Sequence, residues 1–503
     1  MQAVVNNLNS IIWSQALIYL CLGAGLFFSI ATRFAQVRHF KEMLRLLFSG
    51  RSSSKGISTF QALSVSLSGR VGTGNIAGVA AAIGFGGPGA VFWMWTVAFL
   101  GASTAYIEST LGQIYKEEDQ GQYRGGPAYY FEKALGQKWY AWVFAISTII
   151  ATGLLLPGVQ ANSIGNAVEL ALGTGGVVKT ALGGFTFTKI ITALFVVTLL
   201  GFIIFGGVRR IAHVTQVVVP FMAIGYVLMA CFIVILNITM LPDIIGLILK
   251  DAFTPMAAFG AAIGWGVKRG VYSNEAGQGT GPHAAAAAEV AHPAQQGLVQ
   301  AFSVYVDTLF VCSATAFMIL ITGAYNVHGG DAGFLVQNLP ANVDPNSPAF
   351  TQLAVDSVFT GFGKPFVAVA LFFFAFTTLL AYYYIAETNV AYIRRTLKLP
   401  GMMVVLKFGL MASVVYGTLR TASLAWGLGD IGVGLMAWLN IVGILIIFFV
   451  SRPALKSLKD YEAQKNAGVT DYTFDPEALG IRNADFWVQR KMKKAGQRQA
   501  DRP

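Results

Sequence analysis

Cysteine, histidine and charge are all scarce in this chain. Its three cysteines, Cys21, Cys231 and Cys312, each lie inside an apolar segment with no CxxC pair and no ligand-like spacing, so they read as core thiols rather than disulfide or zinc partners. Of the five histidines, His213, His283 and His292 fall at or near the ends of apolar segments without metal spacing, and no role is assigned to them. No HExxH and no Ser/Lys-type arrangement occurs in the apolar segments, so an intramembrane enzyme would lack its metal or its nucleophile and base. The expectation is a protein without catalytic chemistry and without a cofactor. Charged residues make up only 12% of 503. The net charge of +11 does not point to nucleic acid, because Lys and Arg gather in the loops between apolar segments and in the C-terminal tail. A basic n-region is also missing: the first charged residue is Arg33, so the apolar run from Ile11 to Thr32 reads as a retained span rather than a signal peptide.

What is present is apolar. With 55% hydrophobic residues and a mean hydropathy of +0.60, the chain belongs in a bilayer. Its long runs suit α-helices rather than the alternation of a β-barrel. The fold class expected is an all-α integral membrane protein with about eleven transmembrane helices. Arg33, Arg38, Lys41, Arg45, Arg51 and Lys55 face one acid, Glu42, in the first loop, which puts that loop in the cytoplasm and the N-terminus outside. The loop at about 324–363 carries Asp331, Asp344 and Asp356 against Lys364, the bias expected of an external loop. The C-terminal tail then lies in the cytoplasm as a solvated extension near anionic lipid, and the setting expected is a bacterial plasma membrane.

Two apolar segments are broken. Residues Ser68 to Gly78 (SGRVGTGNIAG) put four glycines, an arginine and an asparagine into a span at about 59–84, and Gly264 to Gly281 (GWGVKRGVYSNEAGQGTG) interrupts another at about 256–286. Gly costs about 1 kcal/mol against Ala inside a helix, and unpaired peptide groups at bilayer depth survive only when buried in protein or lining a cavity. Paired breaks in corresponding positions mark the central site of an inverted-repeat transporter. The boundaries that follow are 1–58 for an extra span and loop, 59–240 and 241–451 for two five-helix repeats, and 452–503 for the tail. Five is odd, so the two units sit in the membrane in opposite orientations.

The chemistry of the breaks narrows the ligand. Where the first helix restarts, the amides of Thr73 and Gly74, with Asn75, can hold an anionic group; where it stops, near Ser68 to Val71, free carbonyls can hold a cationic one. A zwitterionic amino acid carries both charges on one carbon. The alternative for this stretch is a glycine packing seam. Gln160, three residues after the kinking Pro157, could meet a polar substrate or bond a neighbouring helix. Thr377 and Thr378 are adjacent hydroxyls in an apolar helix, able to offer oxygens to sodium or to bond carbonyls four residues back. Glu108, Lys268, Arg269 and Glu275 are intramembrane charges expected to pair with one another or to gate. Gly84, Gly86 and Gly89 match G-x-G-x-x-G, but they follow an Ala-rich helix instead of a strand and enclose Pro88, so a dinucleotide site is not indicated. A gated channel would need a continuous polar pore, whereas polar residues here cluster around one level.

The motifs GTGNIAGVA (Gly72 to Ala80), GGPGAVFWMW (Gly86 to Trp95), RGGPAYY (Arg124 to Tyr130), GVQAN (Gly158 to Asn162) and SNEAGQGTGPHAAAAA (Ser273 to Ala288) resemble those of the sodium:alanine symporters, the alanine or glycine:cation symporter family. That resemblance implies a five-plus-five inverted-repeat fold and import of alanine or glycine with sodium, or sometimes protons. It implies that Thr73, Gly74 and Asn75 hold substrate, that Gln160 lines the pocket and limits side-chain size, and that Ser273 and Asn274 complete it. It implies further that Thr377 and Thr378, with carbonyls of Ser68 and Val71, form the sodium site. The partners implied are the amino acid, sodium and the lipid bilayer.

Overall fold

A computed structural model describes residues 2–49, 52–180, 183–254, 257–330 and 333–500. Arg51 and Asp331, both used above to orient the loops, lie outside the described residues. The chain opens with α1 (Gln2–Ile12) and α2 (Gln15–Ala31), bent by 42° to one another. The first broken segment is α3 (Thr59–Arg70) and α4 (Val79–Gly86), followed by α5 (Ala90–Ile114), the short α6 (Pro127–Leu135), α7 (Lys138–Leu172), α8 (Phe187–Ile204) and α9 (Gly207–Leu236). After the surface helix α10 (Leu241–Ala252) comes the second broken segment, α11 (Ala257–Asn274) and α12 (Gly281–Ala287), then α13 (Pro293–Thr322). The rest is α14 (Ala349–Val358), α15 (Gly363–Arg394), α16 (Met402–Leu419), α17 (Ala422–Val450), α18 (Pro453–Asn466) and α19 (Asp485–Ala500). Three two-stranded hairpins decorate the loops among the described residues.

Among the described residues, eight helices are long and apolar enough to cross a membrane, or nine when α1 and α2 count as one span. The expected eleven is therefore not reached by length and apolarity alone. The two broken segments fail that measure for physical reasons: α3, α4 and α12 are too short to span by themselves, and α11, though 18 residues long, carries Lys268, Arg269 and four glycines and is not apolar enough.

The broken segments pack against each other in opposite directions. The first half of one, α3, contacts the second half of the other, α12, while α4 contacts α11. Inverted repeats require this antiparallel pairing, and it brings the two breaks to one level. Around them α5, α13, α15 and α17 form the walls. Pro157 acts on α7 as its missing N–H demands: the turn before it loosens to wider hydrogen bonding over Ala151–Leu155. The glycines of the G-x-G-x-x-G match serve packing. A Cβ on Gly84 would meet Pro345, one on Gly86 would meet Trp265, and one on Gly89, whose amide donates to Asp251 Oδ2 (2.7 Å), would strike the Ala252 backbone.

In α6, Tyr129, Tyr130 and Phe131 are buried in protein. One expectation about the surface is revised: the tail is not simply solvated. Tyr461, Phe474 and Trp487 are buried, Tyr461 donates to Glu42 (2.5 Å), Trp487 Nε1 donates to the Gln113 carbonyl (2.9 Å), and Arg490 pairs with Glu289 (2.7 Å). These aromatics are separated by polar residues, so no apolar run in the sequence announces a docking face.

Candidate functional site

The first break begins where α3 stops at Arg70: Val71 has φ −78° and ψ 88°, outside helical geometry. Asn75 stabilises the turn by accepting the Gly72 amide on Oδ1 (2.8 Å), and the following stretch, Gly74–Gly78, keeps only a widened helical pattern. Gln160 reaches across from α7, accepting the Thr73 amide on Oε1 (3.0 Å). A Cβ on Gly72 would sit 2.4 Å from Thr378 Oγ1 and 3.0 Å from Gln160 Oε1. Gly72 is thus required by close approach, and the unwound backbone, Gln160 and Thr378 share one small space. Gly74 faces Ser273, whose Cα lies 3.0 Å from where a Gly74 Cβ would be. Thr73, Asn75, Gln160, Ser273 and Thr378 are all at most 1% exposed, so the site is closed to both faces in this structure.

The second break is held open by a carboxylate. Glu108 of α5 accepts the Gly277 amide on Oε1 (3.2 Å) and the Gly279 amide on Oε2 (3.1 Å), while Asn440 of α17 donates to Oε2 (2.6 Å). Backbone donors that a helix would have used internally are satisfied by the two side-chain oxygens of Glu108. Glu275 adopts φ +56° and accepts from Thr280 Oγ1 (2.8 Å), a left-handed conformation rare for a residue with a Cβ. Gly277 and Gly279, at φ +84° and +82°, take the same region without cost.

Not every anticipated residue converges. Thr377 bonds the Phe373 and Phe374 carbonyls (2.9 and 3.1 Å) and lies 3.8 Å from Met222 Sδ on α9, so of the threonine pair only Thr378 stands beside the break. Thr378 also bonds the Phe374 carbonyl (2.9 Å), leaving its lone pairs available on the side of the break. Ser68 and Val71 are buried at the end of α3. Asn274 turns back on its own chain, its Oδ1 accepting the Ala276 amide (3.0 Å). The intramembrane charges do not pair with one another. Lys268 and Arg269 both meet Asp430 of α17, Arg269 through two bonds (2.9 and 3.1 Å) and Lys268 at 2.7 Å, with Trp426 stacked on the Arg269 guanidinium at 4.3 Å. This cluster joins the half of α11 before its break to α17.

Two functional candidates escaped the sequence reading. Asp307, fully buried in a loosened stretch of α13, receives Asn75 Nδ2 (2.6 Å), Thr308 Oγ1 (2.7 Å) and Ser273 Oγ (3.1 Å), so it links both breaks. Neutral donors surround it, and no Lys, Arg or His pairs with it among the described residues. The available signal was a lone acid in an apolar span, YVDTLF. Cys312, one turn further on, lies 3.3 Å from Asn75 Nδ2 and 3.2 Å from Ser273 Oγ; it belongs to the site, whereas Cys231 is exposed on α9.

Known proteins resemble this chain in sequence and in fold. The model of the sodium:alanine symporter family matches residues 1–476. A putative sodium/proton-dependent alanine carrier protein, YrbD, of Bacillus subtilis (strain 168) is 59% identical over 96% of this chain and 97% of its own length. The sodium/proton-dependent alanine carrier protein of Bacillus sp. (strain PS3) is 49% identical over 88% of this chain and 97% of its own. The sodium/alanine symporter AgcS of Methanococcus maripaludis is 35% identical, covering 88% and 94%. The crystal structure of MhsT in complex with L-phenylalanine superposes with a TM-score of 0.52 at 15% identity, covering 80% of this chain and 99% of that one, a likeness of fold alone. With a family model spanning nearly its whole length and relatives this similar, the chain belongs to the sodium:alanine symporter family.

Proposed function

We propose that this protein is a sodium-coupled symporter that carries a small neutral amino acid, alanine or glycine, by alternating access. The observation that carries the reading is the meeting of two broken helices at one closed level, where the Thr73 amide meets Gln160, Gly74 packs against Ser273, and Thr378 stands beside Gly72 of the same turn. The carboxylate of the substrate takes the amides of the restarting helix, displacing the Gln160 oxygen that holds Thr73, and its side chain is limited by Gln160. Sodium takes oxygens of Thr378 and of carbonyls at Ser68 and Val71. Bundle motion then opens the site to one face at a time, with the N-terminus outside, the tail in the cytoplasm of a bacterial cell, and residues 59–240 and 241–451 as the inverted units. Relatives named as alanine carriers support the choice of substrate.

A proton-coupled reading has one specific support: Asp307, buried beside Asn75 and Ser273 with no cationic partner, could take up a proton or a second cation. One experiment separates the two. Purified protein in proteoliposomes is loaded with labelled alanine under sodium, potassium or proton gradients imposed in turn. Accumulation driven by sodium alone supports sodium coupling; accumulation under a proton gradient without sodium moves the coupling to Asp307. Uptake indifferent to every gradient overturns symport.

A further inference from the structure

On the tail side of the bundle, a cavity of about 810 Å³ opens between α6, the end of α17 and the tail, and its lining includes Lys133, Arg452, Lys456 and Arg482 but no Asp or Glu. Lys133 is already compensated, by Glu117 (3.0 Å) and Asp485 (3.3 Å). The other three are not. Lys456 reaches only the Gly480 carbonyl (3.3 Å), Arg452 lies over the Phe448 ring (5.8 Å), and neither they nor Arg482 has an acidic partner among the described residues. Three other basic side chains in the tail do have one: Lys465 with Glu42, Arg490 with Glu289 and Lys491 with Asp475. Three cations converging on one cavity repel one another unless an anion lies between them.

The cavity also has an apolar wall. Phe449 and Val450, the last residues of α17, line it and are 64% and 68% exposed, at the point where a membrane-crossing helix leaves the apolar layer. Beside them α18 begins at Pro453, so its first amides and dipole add positive potential to the same space. Cations, helix start and exposed apolar residues therefore occur together only where a phosphate bearing acyl chains could use them all: the headgroup among Arg452, Lys456 and Arg482, the chains along Phe449 and Val450.

We propose that this cavity binds the headgroup of an anionic phospholipid and that the lipid fastens the tail to the bundle. The inference needs only that the protein spans a membrane and does not depend on the transport reading. Each cation near an anionic surface contributes about 1 kcal/mol, so losing three should be large.

The test uses the full chain purified in detergent, with native mass spectrometry of bound phosphatidylglycerol against phosphatidylcholine. The wild-type protein should retain phosphatidylglycerol preferentially. R452Q/K456Q/R482Q should lower that preference by about tenfold or more, whereas K398Q/K459Q/K493Q, which removes equal charge outside the cavity, should keep it. Should the triple variant fail to fold, Arg482→Gln alone, an exposed position, carries the same comparison with about a fivefold loss. Inorganic phosphate in millimolar excess distinguishes the source of the anion. Retention of the lipid supports the proposal; its displacement by phosphate, equal binding of the two lipids, or unchanged preference in the variants overturns it.

Discussion

Thr378 and Thr377 differ by one position and face different neighbours, which makes them an internal control for the sodium site. Thr378 Oγ1 stands against Gly72, while Thr377 points to Met222. Thr378→Ala should raise the half-saturating sodium concentration of uptake about tenfold or more, since a methyl cannot replace a hydration oxygen, and Thr377→Ala should change it less than about threefold. A sodium titration of initial rates checks this, and equal effects in the two variants would remove the distinction. Gly74 offers a sharper case. Any Cβ there lies 3.0 Å from Ser273 Cα, a backbone atom that cannot swing away, so Gly74→Val should abolish alanine binding while the protein still inserts. Binding of labelled alanine to the purified variant at near-normal affinity would falsify the placement of the substrate carboxylate at this break.

For the helices, the informative unit is the contact between α11 and α17. Asp430 serves Lys268 and Arg269 together, and removing its charge leaves two cations buried without compensation, a change worth about 3–5 kcal/mol. That energy is comparable to the few kcal/mol that separate two conformations of a protein, so Asp430→Asn should favour the state in which this contact is open. Cys312 provides the readout because its thiol sits at the site itself. In a Cys21→Ser/Cys231→Ser background, Asp430→Asn should raise the rate of Cys312 modification by a membrane-impermeant thiol reagent at least about tenfold, with saturating alanine slowing it. An unchanged rate would show that the cluster stabilises the fold without gating.

Across the whole molecule, the tail bridges loops that the sequence keeps far apart, and its attachment is sensitive to acid. Burial pushes the Glu42 carboxyl up, but bonds from Tyr461, Lys465 and Arg45 outweigh it and hold the group below the usual carboxylate range. Glu462 behaves alike, burial being outweighed by His39 and Arg38. Both groups have folded values below their unfolded ones, so their contribution is present above the ordinary carboxylate range and is lost as pH falls through the folded values. Acidification from pH 7 to about pH 3 should therefore release α18 before the apolar bundle unfolds. Hydrogen exchange of the tail amides, corrected for intrinsic rates, measures it; protection retained at the acid end would mean that Phe474 and Trp487 packing holds the tail unaided.

The sequence by itself determined the membrane class, the two breaks and the residues of the first one, because apolar length and glycine in a helix act locally and leave their mark in a short window. It also carried the family, through motifs of which two lie at those breaks. Only the tertiary structure decided which partners meet across the bundle. That Glu108 holds the Gly277 and Gly279 amides, that Lys268 and Arg269 share Asp430, and that Asp307 joins Asn75 to Ser273 depends on distances between helices that no spacing along the chain encodes. The same holds for Thr377, whose turn away from its neighbour follows from about 100° of helical rotation per residue and from where α9 lies. The tail was misjudged for a related reason: its composition is that of a solvated segment, and its few aromatics become a docking face only where the bundle supplies their partners.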